Sequence, residues 1–299
     1  MSFLNKVVVT AMPLIPKAIV GRVARRYIAG ITLTDGVNTV RRLNQAGMMT
    51  TMDLLGEDVK DAREAQMVRD NILPILQAIH KNSLNSNVSI KPTQLGLSID
   101  KNMGLQNIRA ILAEAKKLGN FVRIDMEDAQ TTDNTIGIYR TLRGEGFTNM
   151  GVVIQAYLHR SEADVRALVK EGANFRLCKG IYNESPSIAY KGRQEIRDNY
   201  LKLLRIILEG GSYVGIATHD DFLLDGALKM IQELKLAPNQ YEFQMLLGVR
   251  EGRRDEIVRS GHRLRVYVPY GEQWYAYSTR RLKENPAMAW YITKAIFIR

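Results

Sequence analysis

Near the C-terminus of this 299-residue chain, Tyr277, Arg280, Arg281 and Glu284 stand in the run YAYSTRRLKEN. On a helix these positions are spaced i, i+3, i+4 and i+7 and share one face. Two adjacent guanidinium groups flanked by a phenol and a carboxylate make a clamp for a small carboxylate, because arginine's rigid fork grips two oxygens at once. A lone Arg–Arg pair on a terminal helix is more often a solvated basic face. The choice turns on the residues upstream.

Upstream, apolar runs end in polar or charged residues: Lys91, Asp125 with Met126, Gln155, Arg176 with Lys179, Thr218 with His219, Gln244 with Leu246, and Tyr267. Lys91 reads either as the Schiff-base lysine of a barrel lyase or as a charge partner for Asp125. Cys178 beside Lys179 reads either as an activated thiolate or as a small core residue. As the single cysteine it excludes an internal disulfide and a cysteine-built metal centre, and it favours a reducing compartment. His219, followed by Asp220 and Asp221, has the right residue types for a metal ligand. The four histidines show no HExxH or related spacing, so no metal is expected. No GxGxxG is present; Gly144-Glu-Gly146 has the wrong continuation for a Rossmann site.

These residues need elements to hold them. Short runs rich in Val, Ile, Phe and Tyr predict strands at Val88–Lys91, Phe121–Met126, Gly151–Tyr157, Asn174–Lys179, Tyr213–Thr218, Tyr241–Leu246 and Leu264–Val268. Met48–Leu54, rich in Met and Thr, is the weakest strand pattern. Amphipathic helices are predicted between them, over Leu105–Leu118, Ser161–Lys170, Gln194–Glu209 and Asp221–Lys235. Ser161-Glu-Ala-Asp164 has the form of a capping box. Side chains alternate along a strand, so Arg176 and Cys178 point one way and Leu177 and Lys179 the other.

A β-then-α rhythm with near-continuous apolar strands implies a parallel sheet covered by helices. Eight units in about 250 residues fit a (β/α)8 TIM-type barrel better than an open doubly wound sheet. In such a barrel, the C-terminal strand ends are where chemistry collects. No linker divides the chain. The expected organisation is an N-terminal helical arm, residues 1–45, and a catalytic barrel, residues 46–299.

The net charge of +11 favours anionic neighbours: a small acid, a membrane surface or RNA. Aromatic residues are sparse and not interleaved with basic ones, so no base-stacking platform is expected and nucleic acid is not a predicted partner. A basic RNA- or membrane-binding module is the non-enzymatic alternative. No run is long and apolar enough to span a bilayer. Residues 1–34 contain no Asp or Glu but do contain Lys6, Lys17, Arg22, Arg25 and Arg26. That is the charge pattern of a transit peptide or an interfacial helix. Pro13 and Pro16 interrupt it, so a helical arm packed on the domain is preferred, with a membrane-surface role left open.

The segments VSIKPTQLGL, VRIDMED, VVIQAYLHR, FRLCKGIYNES, IATHD, EFQMLLGV, RVYVPYG and YSTRRLKEN, together with GMMTTMDLLGE, resemble in order the motifs of proline dehydrogenase in its monofunctional bacterial form. The resemblance implies a distorted (β/α)8 barrel holding FAD non-covalently. It also implies oxidation of L-proline to pyrroline-5-carboxylate, with electrons passed to a membrane quinone. Carried over by motif, Lys91, Arg280 and Arg281 would bind the proline carboxylate. Leu246, Tyr267 and Tyr277 would line the ring pocket. Asp125 would orient the cationic cluster, and Arg176 would lie at flavin N5. Met126, Gln155, Lys179, Gly180, Ile181, Thr218 and His219 would contact FAD, and Glu284 would order the last helix beside it. The expected location is the cytoplasm or the inner face of the cell membrane. A separate pyrroline-5-carboxylate dehydrogenase is the expected receiver of product. Two residues depart from the family pattern: Cys178 replaces a larger aliphatic residue, and Ile181 a small one. Glu57, in LLGED, is the expected acidic partner of Arg280.

Overall fold

A computed structural model describes residues 21, 24–56, 59–275 and 277–278. The first regular element among them is a helix, α1 (Leu33–Gln45), opened by a capping box. The Thr32 hydroxyl accepts the Asp35 N–H at 3.2 Å, and the Asp35 carboxylate accepts the Thr32 N–H at 2.9 Å. Its apolar stripe, Val37, Val40 and Leu43, is buried. The helix lies against β1 (Met49–Leu54) and β8 (Leu264–Tyr270). In a regular barrel, the helix after the last strand would fill that slot. Close approach is possible because Gly36 has no side chain; a Cβ there would stand 2.7 Å from the Met52 methyl.

The remaining strands are β2 (Ser86–Ile90), β3 (Val122–Ile124), β4 (Met150–Gln155), β5 (Phe175–Cys178), β6 (Val214–Ala217) and β7 (Tyr241–Leu246). All eight are parallel and close in chain order, with β1 paired to both β2 and β8. The crossover helices are α2 (Ala62–Lys81), α3 (Lys101–Lys117), α4 (Thr132–Gly144), α5 (Ser161–Lys170), α6 (Arg193–Glu209), α7 (Asp221–Glu233) and α8 (Glu251–Arg259). The Met/Thr-rich β1 is a full strand that completes the ring, and β3 ends two residues before its predicted end at Met126. The predicted capping box of α5 does not form. Arg160 takes the cap position, and the Ser161 hydroxyl instead donates to the Gln155 carbonyl at 2.6 Å.

Strand alternation separates two chemistries. Outward positions such as Val88, Ile90, Val122, Ile124, Phe175 and Leu177 are at most 1% exposed and pack under the helices. Most inward positions are polar or charged, and their side chains meet across the ring; Val153 and Ala217 are apolar exceptions. At the N-terminal end, Arg265 grips Glu242 with two nitrogens at 2.7 and 3.0 Å, and the Tyr213 hydroxyl donates to Glu242 at 2.7 Å. Gly215 leaves room beside them; a Cβ there would fall 2.2 Å from the Gln244 amide.

Burial alone pushes the Glu242 carboxyl up. The Arg265 charge, with hydrogen bonds from Arg265, Tyr213 and Gln244, outweighs it and brings the pKa down to about 2 from 4.5. A depressed folded value contributes stability that is present above about pH 4.5 and lost as pH falls towards 2. Glu242→Gln is therefore expected to flatten the acid limb of the stability curve and to lower stability at neutral pH by a few kcal/mol, since Arg265 is left buried and unpaired. Urea unfolding from pH 3 to pH 7 measures both; an unchanged acid limb would remove Glu242 from the acid response.

Candidate active site

At the C-terminal end, two hydrogen-bonded groups stand side by side inside the barrel. The Arg176 guanidinium on β5 donates to Asp125 beyond β3 at 2.6 Å, to the Ser89 hydroxyl on β2 at 3.0 Å, and to Gln244 on β7 at 2.6 Å. Ser89 also donates to Asp125 at 3.2 Å. Beside this group, Lys91 donates to both oxygens of Asp53 on β1, at 2.9 and 2.8 Å. The Tyr267 hydroxyl on β8 donates to the same carboxylate. Strands β1, β2, β3, β5, β7 and β8 thus each supply a side chain to a space one barrel wide.

The charges decide what the cluster can do. Burial by itself lowers the Lys91 pKa, but Asp53 and Asp125 outweigh it and raise the pKa above the usual lysine value. A lysine that keeps its proton is a poor Schiff-base nucleophile and a good anion ligand. This argues against the lyase reading of Lys91. The expected partner also changes, because Asp53 rather than Asp125 holds Lys91. Burial pushes the Asp125 carboxyl up, while Arg176 and then Lys91 pull it back. The Cys178 thiol is pushed up to about 11 by burial, so it is a half-buried wall residue and not an activated thiolate. Lys179 pairs with Asp220 at 3.3 Å, not with Cys178.

Lys91, Asp125, Arg176 and Tyr267 come together at this mouth. Leu246 ends β7, and its N–H donates to His219 Nε2 at 2.9 Å. That bond spends the Nε2 lone pair and places the ring proton on Nδ1. No group of three or more metal-ligating side chains occurs among the described residues. Tyr277 is 7% exposed and packs with Ala24, Ile28 and Leu55, close enough to Tyr267 to act on its ionisation. Met126, Gln155 and Thr218 are buried at the ends of β3, β4 and β6. Ile181 is 48% exposed, so its extra bulk points away from the packed interior. Arg280, Arg281, Glu284 and Glu57 lie outside the described residues.

Two features fit a bound planar cofactor at this rim. The Gln155 side-chain oxygen is buried with no hydrogen-bond partner among the described residues. A buried orphan acceptor of this kind answers a donor supplied by a ligand. Gly180 has φ +101°, and a Cβ there would stand 2.0 Å from the Tyr157 ring, so the chain can turn past that ring only as glycine. Gly180→Ala is expected to cost about 1–2 kcal/mol from backbone strain alone and to loosen whatever rests on the turn. Flavin retained through gel filtration reads this out; full retention would show that the turn does not hold cofactor.

Sequence reasoning missed Asp53, Ser89 and Glu127. Asp53 had a signal: it is the one acid inside the Met/Thr-rich strand, on the inward phase with Thr51. Ser89 had none. Glu127, 8% exposed, caps the loop after Lys91 by accepting the Thr93 N–H at 2.9 Å and the Thr93 hydroxyl at 2.6 Å.

The barrel gathers two cations, Lys91 and Arg176, at its C-terminal mouth, the makings of an enzyme site for a small acid. The family model described as proline dehydrogenase matches residues 36–293. Proline dehydrogenase 1 of Bacillus subtilis is 40% identical over 273 residues, covering 91% of this chain and 90% of that protein. Proline dehydrogenase of Deinococcus radiodurans is 35% identical over 277 residues, covering 91% and 89%. Among solved structures, proline utilization A from Bdellovibrio bacteriovorus, inactivated by N-propargylglycine, superposes with a TM-score of 0.83 at 26% identity. That match covers 92% of this chain and 34% of that one, so the chain spans about a third of its length. The chain belongs to the proline dehydrogenase family and is a proline dehydrogenase oxidoreductase.

Proposed function

We propose that the chain oxidises L-proline to pyrroline-5-carboxylate on non-covalently bound FAD and passes the electrons to a membrane quinone. The observation that carries this reading is the Arg176–Asp125 and Lys91–Asp53 cluster, two cations held ready at one end of the barrel. FAD supplies the acceptor for the hydride from the carbon next to the proline nitrogen. Lys91, with Arg280 and Arg281, binds the carboxylate, and Leu246, Tyr267 and Tyr277 enclose the ring. Arg176 places a positive charge where negative charge develops, an interaction stronger in the transition state than in the ground state. Asp125 and Gln244 fix the direction of that guanidinium. Met126, Gln155, Lys179, Gly180, Ile181, Thr218, His219 and Glu284 hold the cofactor.

We also place the arm at residues 1–45 and the catalytic barrel at 46–299. The basic, acid-free N-terminus suits contact with an anionic inner membrane surface, where a quinone would be met. No helix among the described residues is long and apolar enough to cross a membrane. A separate dehydrogenase is the proposed receiver of the imine. The deciding measurement is the visible spectrum of the purified chain. A flavin spectrum bleached by anaerobic L-proline supports the reading, whereas a colourless chain or a flavin indifferent to proline would overturn it.

A further inference from the structure

The N-terminal mouth of the barrel, opposite the catalytic one, holds a second concentration of charge. A cavity of about 540 Å³ opens there, lined by Arg123, Arg263, Arg265, Asn87, Asn174 and Glu242 among others. Among the described residues, Glu242 is the only carboxylate in that lining. It is already committed to Arg265, Tyr213 and Gln244. Three guanidinium groups against one carboxylate leave a surplus of two positive charges.

Backbone carbonyls account for part of the arginine. Arg265 donates to Thr50 O at 2.6 Å. Arg123 donates to Val152 O at 3.1 Å, to Asn174 O at 2.8 Å and to Asn174 Oδ1 at 2.5 Å. Those bonds use three of its five N–H groups. The other two meet no acceptor among the described residues, although Arg123 is only 2% exposed. Asn87, 8% exposed, accepts the Thr51 hydroxyl on Oδ1 at 2.5 Å, and its amide N–H groups find no acceptor among the described residues. Arg263 meets the Met49 sulfur at 3.3 Å and the face of Tyr213 at 5.8 Å, and no carboxylate among the described residues. Burial, then Arg176 and Arg265, push the Arg123 guanidinium down to about 9. Glu242 and Asp125 offset only part of this. A buried cation whose nearest carboxylate is already committed to another arginine is costly. The lining therefore offers donors in surplus and no free acceptor carboxylate, which selects an anion over a neutral molecule or a metal ion.

We propose that this cavity binds a small oxyanion, inorganic phosphate or a small carboxylate, on Arg123, Arg263 and Asn87. Glu242 and Gln244 stand between this site and Arg176, so it is separate from the proline site.

Calorimetric titration of the flavin-loaded enzyme with inorganic phosphate, and separately with acetate, at low ionic strength tests the proposal. One site per chain is expected, weakened about tenfold or more by Arg263→Met, the loss of roughly one charge-assisted contact. Arg263 is half-buried just before β8, so this variant is expected to fold. Lys91→Met, at the other mouth, should leave the phosphate affinity unchanged; acetate, which the proline site also takes, is compared between the Lys91→Met enzyme and the same enzyme carrying Arg263→Met as well. Tighter binding of phosphate assigns a phosphate-type ligand, and tighter binding of acetate a carboxylate; either supports the site. Absence of binding by both anions, equal phosphate affinity in wild type and Arg263→Met, or loss of phosphate binding in Lys91→Met would each overturn it, as would acetate binding that Arg263→Met leaves unchanged in the Lys91→Met enzyme.

Discussion

Replacing Arg176 by methionine is expected to slow anaerobic reduction of the bound flavin by proline about 100- to 1000-fold, the usual effect of removing one preorganised charge from a developing anion. It should also make the flavin harder to reduce chemically, because the reduced anion loses its partner. The fold should survive in weakened form: Asp125 loses its contact at 2.6 Å but keeps Ser89 at 3.2 Å, and burial then favours its neutral form. Stopped-flow reduction and a redox titration measure the two effects separately. If both the rate and the potential match the wild type, Arg176 is not beside the flavin.

Asp53→Asn is expected to raise the KM for proline about 100-fold at neutral pH, with a smaller change in kcat, and to give KM a steep pH dependence. The sign follows from Lys91. In the wild type, Asp53 and Asp125 hold its pKa above the ordinary value, so it stays charged across the assay range. Without the Asp53 charge, burial dominates and the pKa falls, so the carboxylate contact is lost as pH rises. Lys91→Met serves as the control, with a raised but pH-flat KM. If Lys91→Met has no effect on KM, lysine does not bind the substrate. If it has one and Asp53→Asn does not, Asp53 has no part in holding the lysine.

These two variants also show where sequence reasoning ran out. The barrel was legible because short, near-continuous apolar runs alternate with amphipathic helical stretches, so β2 through β8 stand out by composition. Their C-terminal ends pointed to Lys91, Asp125, Arg176 and Tyr267 without reference to any structure. Which residue pairs with which was not legible. Lys91 and Asp125 lie on neighbouring strands and looked like partners, yet Asp53 takes the lysine because Arg176 has crossed the barrel to claim Asp125. Register across a closed ring is a property of all eight strands together, and no local pattern encodes it. The same holds for Ser161, whose local spacing suggested a helix cap but whose hydroxyl turns to the Gln155 carbonyl. At the other end of the barrel, Arg123 and Arg265 sit in strands that read as ordinary apolar runs, and only the assembled cavity shows how few acceptors surround them.

The contact between Tyr267 and Asp53 joins residues 214 positions apart in the chain. It depends on the pairing of β8 with β1, the step that turns a curved sheet into a ring. Closure between the two ends of a sequence is entropically the most expensive contact to make and is expected late in folding. The carboxylate that holds Lys91, the lysine we propose binds proline, therefore gains its Tyr267 donor only in chains that have completed that step. A chain released from the ribosome before β8 emerges would carry most of its apolar packing and no organised carboxylate site. During refolding, recovery of substrate affinity should lag behind recovery of helical signal, making catalysis itself a reporter of ring closure.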